Sequence, residues 1–479
     1  MNIISVGAEV APWSKTGGLG DVCSELTVAL AARGHRVMSV APRYSSYPEA
    51  WDTGVYPDLD GHKIAFFHCK DRGVDRVFVD HLSIRRGGIY GSETGSYADN
   101  WFRFSLFCQG AILAASQLNI DGEVYSDGSD NDTIFLFHDW HASLVPAYLE
   151  VAKSFGKFQS AGSVLVIHNL AHQGIYPDEL FAQLSLHPNL FPALHMGKGL
   201  NFLKGGMALA DKIVTVSPTY AQEICTPEFG MGLDDVLRKR RENLVGILNG
   251  LDMDEWNPFS DPAIYANYSA QNLAGKKVCK LHLQKELRLP INGDVPIFAF
   301  ISRLDFQKGV DQIEKVLPWL LQQGAQVVLL GTGAPDLEAF VHRANTHPSV
   351  AGLVTFSSQL ARKIIAGSDF LLMPSRFEPC GLTQQQALRY GTVPIVHSCG
   401  GLRDTVQSFN PWRKTGNGWS FAPLESKRFQ QALMWALHTY RHHPKDFHQL
   451  QLRGMIQQRS WKLAAQKYEA LFAKVLASK

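Results

Sequence analysis

Charged residues are scarce in this sequence, and neither sign is in clear excess. Aspartate, glutamate, lysine and arginine make up 19% of the 479 residues, below the roughly 25% of an average soluble protein, and the formal net charge is +2. Because nucleic acids and anionic membranes attract proteins with a large positive excess, neither is expected as a partner. The hydrophobic content of 45% argues against a disordered chain. Any anionic ligand is therefore expected in a local site.

Paired cysteines, long apolar runs and a leader segment are also missing. The seven cysteines are odd in number and include no Cys-x-x-Cys pair, which argues against a disulfide framework and a thiolate zinc site. No apolar run reaches the roughly 18 residues of a membrane helix, and a strand-like segment follows Met1 instead of a basic and then apolar leader. We therefore expect a reducing compartment and no membrane anchor or targeting peptide in this chain.

What is present is an alternation of strand-like and helix-like segments. Residues 2–7 and 36–40 are typical of buried strands and flank a segment with helical spacing. Later apolar runs end abruptly in polar residues, and the alternation starts again near Pro296. These runs are 134–137, 164–167 and 213–216 in the first series and 297–301, 327–330, 370–373 and 394–396 in the second. The pattern predicts an α/β protein with two doubly wound, Rossmann-like domains.

The boundary between the two series is predicted near residue 250, where Asn-Gly and Asn-Pro turn signals occur. This assigns residues 1–249 to an N-terminal domain and 250–460 to a C-terminal domain. Residues 461–479 are a candidate for a final helix that crosses back to the first domain. Doubly wound domains bind ligands at the carboxyl ends of their strands, so we expect the chemistry in a deep cleft across which the domains face each other.

A glycine-rich loop, Lys15-Thr16-Gly17-Gly18-Leu19-Gly20-Asp21, lies between the first strand and the first helix. Small residues at the start of a helix let backbone N–H groups approach an anion, and the helix dipole favours negative charge there. The spacing is neither Gly-x-Gly-x-x-Gly nor that of a P-loop. On its own, the loop leaves a phosphate site and a plain tight turn as equal alternatives.

Two motifs of the second domain carry charge just after predicted strands. Arg303 and Lys308 follow the strand at 297–301 and are suited to hold a diphosphate, with a solvated loop of ordinary surface charges as the alternative. Glu378 follows the strand at 370–373, and a helix that starts near Gly381 would direct its N-terminus at the group that Glu378 orients. Glu378 is suited to bind sugar hydroxyls or, alternatively, to cap a turn.

The string His138-Asp139-Trp140-His141 places two histidines three residues apart. No convincing third ligand stands near them, so catalysis or sugar binding is favoured over a metal site. Asp-x-Asp strings at 130–132 and 252–254 lie in turn-like polar stretches, and we interpret them as structural. No metal site is predicted.

Together these motifs resemble the family of bacterial glycogen synthases and plant starch synthases, which are glucosyltransferases with the two-domain GT-B fold. The resemblance spans almost the whole chain. It rests on the segments 15–21, 138–142, 168–174, 302–309 and 374–383. Within the family, the chain is most similar to granule-bound, amylose-forming starch synthases and their algal or cyanobacterial relatives, through residues 9–14, 50–53 and 72–81. A soluble starch or glycogen synthase is the alternative, because residues 168–174 and 201–205 look more like soluble starch synthases.

The resemblance implies transfer of glucose from ADP-glucose to the non-reducing end of an α-1,4-glucan, with retention of anomeric configuration and without a metal or organic cofactor. It implies that Lys15, Arg303 and Lys308 bind the donor diphosphate. Glu378 would hold the glucosyl unit, and His141 would lie beside the anomeric carbon. The implied contacts to donor or acceptor come from Gly17, Gly18, Asp21, Tyr97, Asp99, Asp139, Asn169, Asn249, Phe356, Cys380, Gly381, Leu382, Thr383 and Gln386.

The partners implied by the resemblance are ADP-glucose and an α-1,4-glucan or malto-oligosaccharide, with the starch granule as a further candidate. The implied compartment is the cytoplasm for a bacterial or cyanobacterial protein, and the plastid stroma or starch granule for a plant or algal one. A nicotinamide-dependent dehydrogenase is the rival enzyme class, but Gly331-Thr332-Gly333 leads to Asp336 where the fingerprint needs a third glycine. A noncatalytic glucan-binding protein is the rival outside enzymes, because exposed aromatic rings can stack on sugars.

Overall fold

Two sheets of mostly parallel strands are formed, one from each half of the sequence. The structure, a computed structural model, describes residues 1–92, 95–126 and 132–479. The chain divides into a first unit, Met1–Gly250 with Trp461–Lys479, and a second unit, Leu251–Ser460. The sequence predicts this boundary after residue 249.

Short strands and helices alternate through the first unit. Its strands are β1 (Asn2–Val6), β2 (Arg36–Pro42), β3 (Trp51–Asp52), β4 (Asp58–Leu59), β5 (His62–Lys63), β6 (Ala65–Asp71), β7 (Val74–Asp80), β8 (Gly91–Ser92), β9 (Gly95–Ser96), β10 (Thr133–His138), β11 (Gly162–Ile167), β12 (Ile175–Pro177), β13 (His195–Met196), β14 (Gly199–Asn201), β15 (Lys212–Thr215) and β16 (Leu244–Gly246). Its helices before residue 250 are α1 (Gly18–Ala31), α2 (Asn100–Gln117), α3 (Val145–Ser154), α4 (Phe191–Leu194), α5 (Phe202–Leu209), α6 (Pro218–Glu223) and α7 (Asp234–Lys239).

The main sheet of the first unit has the strand order β16-β15-β11-β10-β1-β2-β7-β6-β3. Neighbours pair in parallel from β16 to β7, and the last two pairs are antiparallel. Parallel sheets are covered on both faces. This is why the runs 134–137 and 164–167 consist only of apolar residues, all of them buried.

The antiparallel edge is a hairpin that the sequence analysis does not anticipate. Strands β6 and β7 pair from Ala65 opposite Asp80 to Asp71 opposite Val74. The turn between them has positive φ at both residues, 46° at Arg72 and 80° at Gly73. Such turns match the twist of hairpin strands, but Arg-Gly is not one of the usual hairpin signals, so local pattern gives no warning of this edge.

The second unit has a shorter and wholly parallel sheet. In chain order its elements are α8 (Ala274–Glu286), β17 (Ile297–Ile301), α9 (Val310–Gln322), β18 (Gln326–Gly331), α10 (Pro335–Ala344), β19 (Val350–Val354), α11 (Ser358–Gly367), β20 (Phe370–Met373), α12 (Thr383–Arg389), β21 (Val393–His397), α13 (Gly400–Thr405), β22 (Trp419–Phe421), α14 (Ser426–His442) and α15 (Pro444–Met455). The strand order is β19-β18-β17-β20-β21-β22, with parallel pairing throughout.

Alternate residues of β17 show that helices cover both faces of this sheet. Phe298 and Phe300 belong to one hydrophobic cluster, and Ile297 and Ala299 belong to another. Successive side chains of a strand point to opposite faces, so two buried clusters mean two covered faces. This is the doubly wound arrangement that the sequence predicts.

The final helix, α16 (Trp461–Leu476), belongs to the first unit. It packs against α1 and β11, with Phe472 fully buried. The Arg33 Nε–H donates to Glu469 at 2.9 Å, and Lys479 pairs with Asp211 at 2.8 Å. No helix in the described ranges, α16 included, is long and apolar enough to cross a membrane.

Candidate functional site

In the parallel part of each main sheet the order of the strands reverses direction at one place. In the second unit, β18 and β19 lie on one side of β17, whereas β20, β21 and β22 lie on the other. In the first unit the same reversal occurs between β1 and β10. Loops that leave the carboxyl ends of two such neighbouring strands run in opposite directions and leave a crevice that suits a ligand. The loops after these four strands carry most of the predicted site residues.

Lys308 and Glu378 form the central ion pair of the second-unit site. Their Nζ and Oε2 atoms are 2.7 Å apart, and the Ser375 hydroxyl donates to the same Oε2 at 3.1 Å. The two side chains are only 15% and 8% exposed, so their attraction is less screened than that of a surface pair. Both hydrogen bonds described for the carboxylate go to Oε2, and Lys308 keeps N–H donors for a ligand.

The two loops that carry this pair are also joined through their backbones. The Arg376 N–H donates to the Gln307 carbonyl at 2.8 Å, and the Gln307 side-chain amide donates to the Phe377 carbonyl at 3.2 Å. Gly309 has a φ of 70°, and an added Cβ there would overlap the carbonyl oxygen of Pro374. Glycine is therefore required both for the left-handed backbone and for the close approach of the loops.

Gly309→Ala is expected to lower kcat/KM by at least about tenfold, because it pushes apart two loops that must hold the ion pair in place. Gly324→Ala is the matched control, since Gly324 also has a φ of 70° but has nothing near the position of an added Cβ. The control carries the backbone strain alone. Initial rates and thermal midpoints of both variants give the comparison, and equal losses in the two would contradict the close approach as the cause.

A third loop, after β21, closes around the backbone of Glu378. The Gly401 N–H donates to the Glu378 carbonyl at 2.9 Å, and an added Cβ at Gly401 would overlap the Cys380 carbonyl oxygen. Gly381 has a φ of 69°, which a right-handed helix does not admit. The helix expected near Gly381 therefore begins only at Thr383.

The remaining second-unit candidates differ in how far they are exposed. Cys380 is buried, while Leu382 and Thr383 are half-buried at the start of α12. Gln386 lies on α12 and is half-buried, and Phe356 follows β19, the edge strand, with 87% of its surface exposed.

Arg303 differs from Lys308 in its surroundings. Its side chain is 65% exposed and pairs with Asp305 at 3.0 Å, within the same loop. For Arg303, Phe356 and Gln386, the structure describes no hydrogen bond to Lys308 or Glu378. The family resemblance assigns these residues to one site, but among them the structure describes a direct contact only between Lys308 and Glu378.

In the first unit, Asp139 turns the chain sharply at the end of β10. Its φ of 55° and ψ of −174° lie in a region that few residues other than glycine occupy. Its Oδ1 accepts a hydrogen bond of 2.7 Å from the His168 backbone N–H, which links the ends of β10 and β11. The turn leads directly into a short 3-10 helix, Trp140–Ala142, that carries His141.

Asp139 also gives the first unit a specific pH dependence. Burial raises the pKa of its carboxyl group to about 7, so between about pH 4 and pH 7 the folded protein keeps a proton that the unfolded chain has released. The contribution of Asp139 to stability therefore falls as the pH rises through this range. Asp139→Asn removes the titration and keeps an acceptor for His168.

We compare the thermal midpoint of Asp139→Asn with that of the wild type at each pH. The difference, variant minus wild type, is expected to increase as the pH is raised from about 5 to about 8. Thermal unfolding followed by circular dichroism in a series of buffers measures this difference. Midpoint curves that run parallel across the range would show that Asp139 does not titrate there.

The His141 ring is enclosed by aromatic side chains. It stacks on Tyr90 with ring centroids 4.6 Å apart, lies 4.1 Å from Trp140 and meets Phe104 edge-on at 4.8 Å. These contacts hold the ring in one orientation at the reversal point of the first sheet.

The electrostatics of His141 keep it neutral. Burial lowers its pKa well below the ordinary value, and His172 and Arg103 act in the same direction. Its Nδ1 is buried and has no hydrogen-bond partner among the described atoms. Its main-chain carbonyl accepts a bond of 3.3 Å from the Cys108 thiol. A neutral ring with an uncommitted nitrogen can serve a ligand as a hydrogen-bond partner but not as an acid that titrates near neutral pH.

His138 is used structurally. Its Nδ1 lies 2.9 Å from His168 Nε2, and its Nε2 lies 3.2 Å from the Ser5 hydroxyl. Burial lowers the pKa of His138 far below its usual range and that of His168 to about 3. Two neutral imidazoles can share one proton between these nitrogens, so the pair joins β1, β10 and the end of β11.

Glu9 and Tyr90 are functional candidates that the sequence analysis misses. The Glu9 carboxylate accepts hydrogen bonds from the Thr16 N–H and hydroxyl, each 2.7 Å, and from the Tyr90 hydroxyl at 2.5 Å. Since the Tyr90 ring stacks on His141, this network joins the glycine loop to His141. Two signals were available for Glu9, its position shortly after a strand and the family resemblance of residues 9–14, whereas none pointed to Tyr90.

This network also engages part of the glycine loop. The Gly17 N–H points to Glu9 at 3.4 Å, so the amides of Thr16 and Gly17 both face the Glu9 carboxylate. The first amides of a helix lack partners within it, which leaves those from Gly18, where α1 begins, for a phosphate. Lys15 pairs with Asp21 at 2.7 Å, with both side chains partly exposed.

Four further candidates of the first unit lie in loops. The Asp99 carboxylate binds Arg86 through two bonds of 2.8 and 2.5 Å, and the Tyr97 hydroxyl accepts the Gly88 N–H at 3.2 Å. Asn169 accepts a bond of 3.1 Å from a backbone N–H two residues on. Asn249 is buried, and its Oδ1 has no hydrogen-bond partner among the described atoms.

Metal ligands do not cluster in the described ranges, where no group of three or more His, Cys, Asp or Glu side chains is arranged to hold an ion. Asp252 caps a turn, accepting bonds of 2.9 Å from the N–H groups of Asp254 and Glu255. Asp130, in the other Asp-x-Asp string, lies outside the described residues.

Family models match both halves of the chain. Residues 2–239 match the starch synthase catalytic domain, and residues 284–449 match glycosyl transferases group 1. Among full-length relatives, starch synthase 1, chloroplastic/amyloplastic, of Triticum aestivum is 44% identical over 501 residues, covering 98% of this chain and 77% of the relative. Granule-bound starch synthase 2 of Solanum tuberosum is 45% identical, covering 98% of this chain and 63% of that relative.

A solved structure is similar over the same extent. The catalytic domain of starch synthase IV from Arabidopsis thaliana, bound to ADP and acarbose, matches with a TM-score of 0.88 and 30% sequence identity. The match covers 99% of each chain.

Proposed function

This chain belongs to the starch synthase family of glycosyltransferases, and we propose that its Lys308–Glu378 pair forms the donor site of that reaction. The predicted family, the GT-B fold class and the glycosyltransferase activity are confirmed. The chain is an α-1,4-glucan synthase that uses ADP-glucose, and it binds a nucleotide-sugar donor and a glucan acceptor. The observation that carries the proposal for the site is the largely buried ion pair at the strand reversal of the second sheet.

Lys308 and Arg303 are proposed to stabilise the departing diphosphate. Negative charge grows on the leaving group as the glycosidic bond breaks, so a cation already in place stabilises the transition state more than the bound substrate. Glu378 holds the Lys308 ammonium group in position at 2.7 Å. Preorganisation of this kind avoids reorientation during the reaction, and Arg303 adds a second cation from the same loop.

Glu378 is proposed to orient the glucosyl unit with its second oxygen. The hydrogen bonds described for this carboxylate, from Lys308 and Ser375, both go to Oε2. An ionised carboxylate accepts at both oxygens, so Oε1 can receive a sugar hydroxyl. One side chain thereby positions both the cation and the sugar.

His141 is proposed to lie beside the anomeric carbon. The transition state of glucosyl transfer has oxocarbenium character, and a neutral imidazole avoids the repulsion that a protonated one would exert on it. The low pKa of His141 supports this role. Retention of configuration at the anomeric carbon is part of the same proposal.

Transfer of labelled glucose to a malto-oligosaccharide tests the function directly. ADP-glucose and UDP-glucose are compared at matched concentrations, with a chelator present because we propose that no metal is needed. Transfer from ADP-glucose under these conditions is the expected result. Transfer from UDP-glucose alone would overturn the donor, a requirement for added metal would overturn the cofactor proposal, and no transfer at all would favour a noncatalytic glucan-binding protein.

Granule association and plastid location are proposals that extend this function. The relatives named above include both a granule-bound and a chloroplastic/amyloplastic starch synthase. Co-sedimentation of the chain with starch granules, measured against its retention by soluble malto-oligosaccharide, separates the granule-bound form from a soluble one. Cell fractionation of the source organism tests the compartment.

A further inference from the structure

A pocket of about 970 Å³ lies in the second unit at the amino ends of the strands. Its walls come from α8, from the residues just before β17 and β20, and from the stretch that runs from the end of α14 into α15. The candidate donor site lies at the carboxyl ends of the same strands, so the pocket is a separate feature on the opposite edge of the sheet. We name it the lysine pocket after three residues that line it, Lys276, Lys277 and Lys280.

Positive charge predominates in the lysine pocket. Lys277, Lys280 and Arg441 line it, against the two carboxylates of Asp294 and Asp369. The Asp369 Oδ2 already forms an ion pair with the Lys280 Nζ and accepts a hydrogen bond from the Ile297 backbone N–H, each at 2.8 Å. One carboxylate is therefore compensated within the protein, and the remaining cations attract an anion.

Lys276 serves as part of the wall. Its Nζ donates to the Thr392 hydroxyl at 2.7 Å and to the Ala366 carbonyl at 3.0 Å, and the Ile365 carbonyl lies at 3.5 Å. Burial lowers its pKa to about 7. With its donors committed, Lys276 shapes the pocket and does not contact a ligand directly.

Two other groups have donors to offer. Lys280 forms the ion pair with Asp369 and donates to the Tyr440 hydroxyl at 2.8 Å, which leaves a further N–H group. The Tyr440 hydroxyl accepts from Lys280 and retains its own proton. The exposed side chains of Lys277 and Arg441 add N–H donors at the rim of the pocket.

Apolar side chains complete the lysine pocket: Leu273, Leu281, Pro444 and Phe447. Several N–H and O–H donors under a positive potential suit a doubly charged tetrahedral anion, and the apolar walls suit a carbon skeleton attached to it. We propose that the lysine pocket binds a small organic phosphate monoester.

Isothermal titration of the full chain tests this proposal with glucose 6-phosphate as the probe, and with inorganic phosphate and glucose for comparison. We expect glucose 6-phosphate to bind at least about tenfold more tightly than inorganic phosphate, which leaves the apolar walls unused. No detectable binding of glucose 6-phosphate would overturn the proposal. If inorganic phosphate bound as tightly as glucose 6-phosphate, the preference for a monoester would be overturned. If glucose bound as tightly as glucose 6-phosphate, recognition of the anion would be overturned.

A charge-reversed variant locates the binding. Lys277 and Arg441 are both exposed, so the double variant Lys277→Glu/Arg441→Glu is expected to fold and to bind glucose 6-phosphate at least about tenfold more weakly. Its thermal midpoint is expected to fall slightly, because Arg441 donates to the Gln323 carbonyl and lies in the last turn of α14. The matched control is Lys427→Glu/Arg428→Glu, which makes the same charge change at exposed positions on the first turn of α14, outside the pocket. Equal weakening in both variants would show a general charge effect and overturn the site.

Lys308→Ala separates the lysine pocket from the donor site. Retained binding of glucose 6-phosphate in this variant is expected. Loss of binding in Lys308→Ala with retention in Lys277→Glu/Arg441→Glu would place the anion in the donor site and overturn the proposal.

Discussion

Lys308→Ala is expected to lower kcat/KM for ADP-glucose by about a hundredfold, and Arg303→Ala by at least about tenfold. Each substitution removes a cation that faces the charge developing on the leaving diphosphate. The larger effect is expected at Lys308 because its side chain is 15% exposed, whereas that of Arg303 is 65% exposed. An interaction shielded from water is less screened and contributes more.

Initial rates of glucose transfer over a range of ADP-glucose concentrations measure these losses. Lys315→Ala is the matched control, because Lys315 is an exposed lysine on α9 that pairs with Asp311 at 3.5 Å. The control is expected to change kcat/KM by less than about twofold. Near-unchanged kinetics in both Lys308→Ala and Arg303→Ala would refute the role of these cations.

The loss in Lys308→Ala has two physical parts. The substitution removes the cation, and it also leaves the Glu378 carboxylate, 8% exposed, without its charge partner. Combining it with Glu378→Gln separates these parts. If the pair acts as a unit, the double variant is expected to be no worse than the poorer single variant. Fully additive losses would mean that the two side chains act independently.

His141→Gln is the second substitution with a large expected effect. We expect kcat to fall by about a hundredfold while the KM for ADP-glucose changes little, which is the pattern for an interaction made mainly in the transition state. The His141 ring is held between Tyr90 and Phe104 and presents a neutral face. Glutamine keeps a hydrogen-bonding group but cannot reproduce this stacked orientation.

The pH dependence of the same variant gives an independent check. Because the pKa of His141 lies well below its ordinary value, His141 should not titrate near pH 6.5. The pH profiles of kcat for the wild type and for His141→Gln should therefore have the same shape around that pH. His342→Gln, at an exposed position, is the control and is expected to leave kcat unchanged. Loss of a limb near that pH in His141→Gln alone would show that the ring titrates and would contradict the proposed role.

The strands that present the donor site could be predicted from local pattern. Buried parallel strands need apolar residues on both faces, and the runs 297–301 and 370–373 occupy β17 and β20 at the predicted residues. Polar residues directly after such runs must lie at the carboxyl edge of a sheet. Arg303, Lys308 and Glu378 could therefore be identified as candidates, with roles implied by family resemblance.

Local pattern does not encode which strands become neighbours. Lys308 and Glu378 are separated by 70 residues in sequence, and they pair because β20 lies beside β17 while β18 and β19 lie on the far side. The hairpin β6–β7 likewise depends on a turn with two positive φ values that its Arg-Gly sequence does not announce.

The residues at the start of the chain show the same division. Composition, periodicity and motif spacing determined the alternating strands and helices and the glycine loop at 15–21, because these depend on neighbours a few residues apart. Only the tertiary structure shows that Glu9 accepts a hydrogen bond from the Thr16 amide and that Tyr90 bonds to Glu9 and stacks on His141. The burial of Asn249 likewise depends on the folded chain. These contacts join segments distant in sequence and form only when whole elements pack, so their energy appears nowhere in the local pattern.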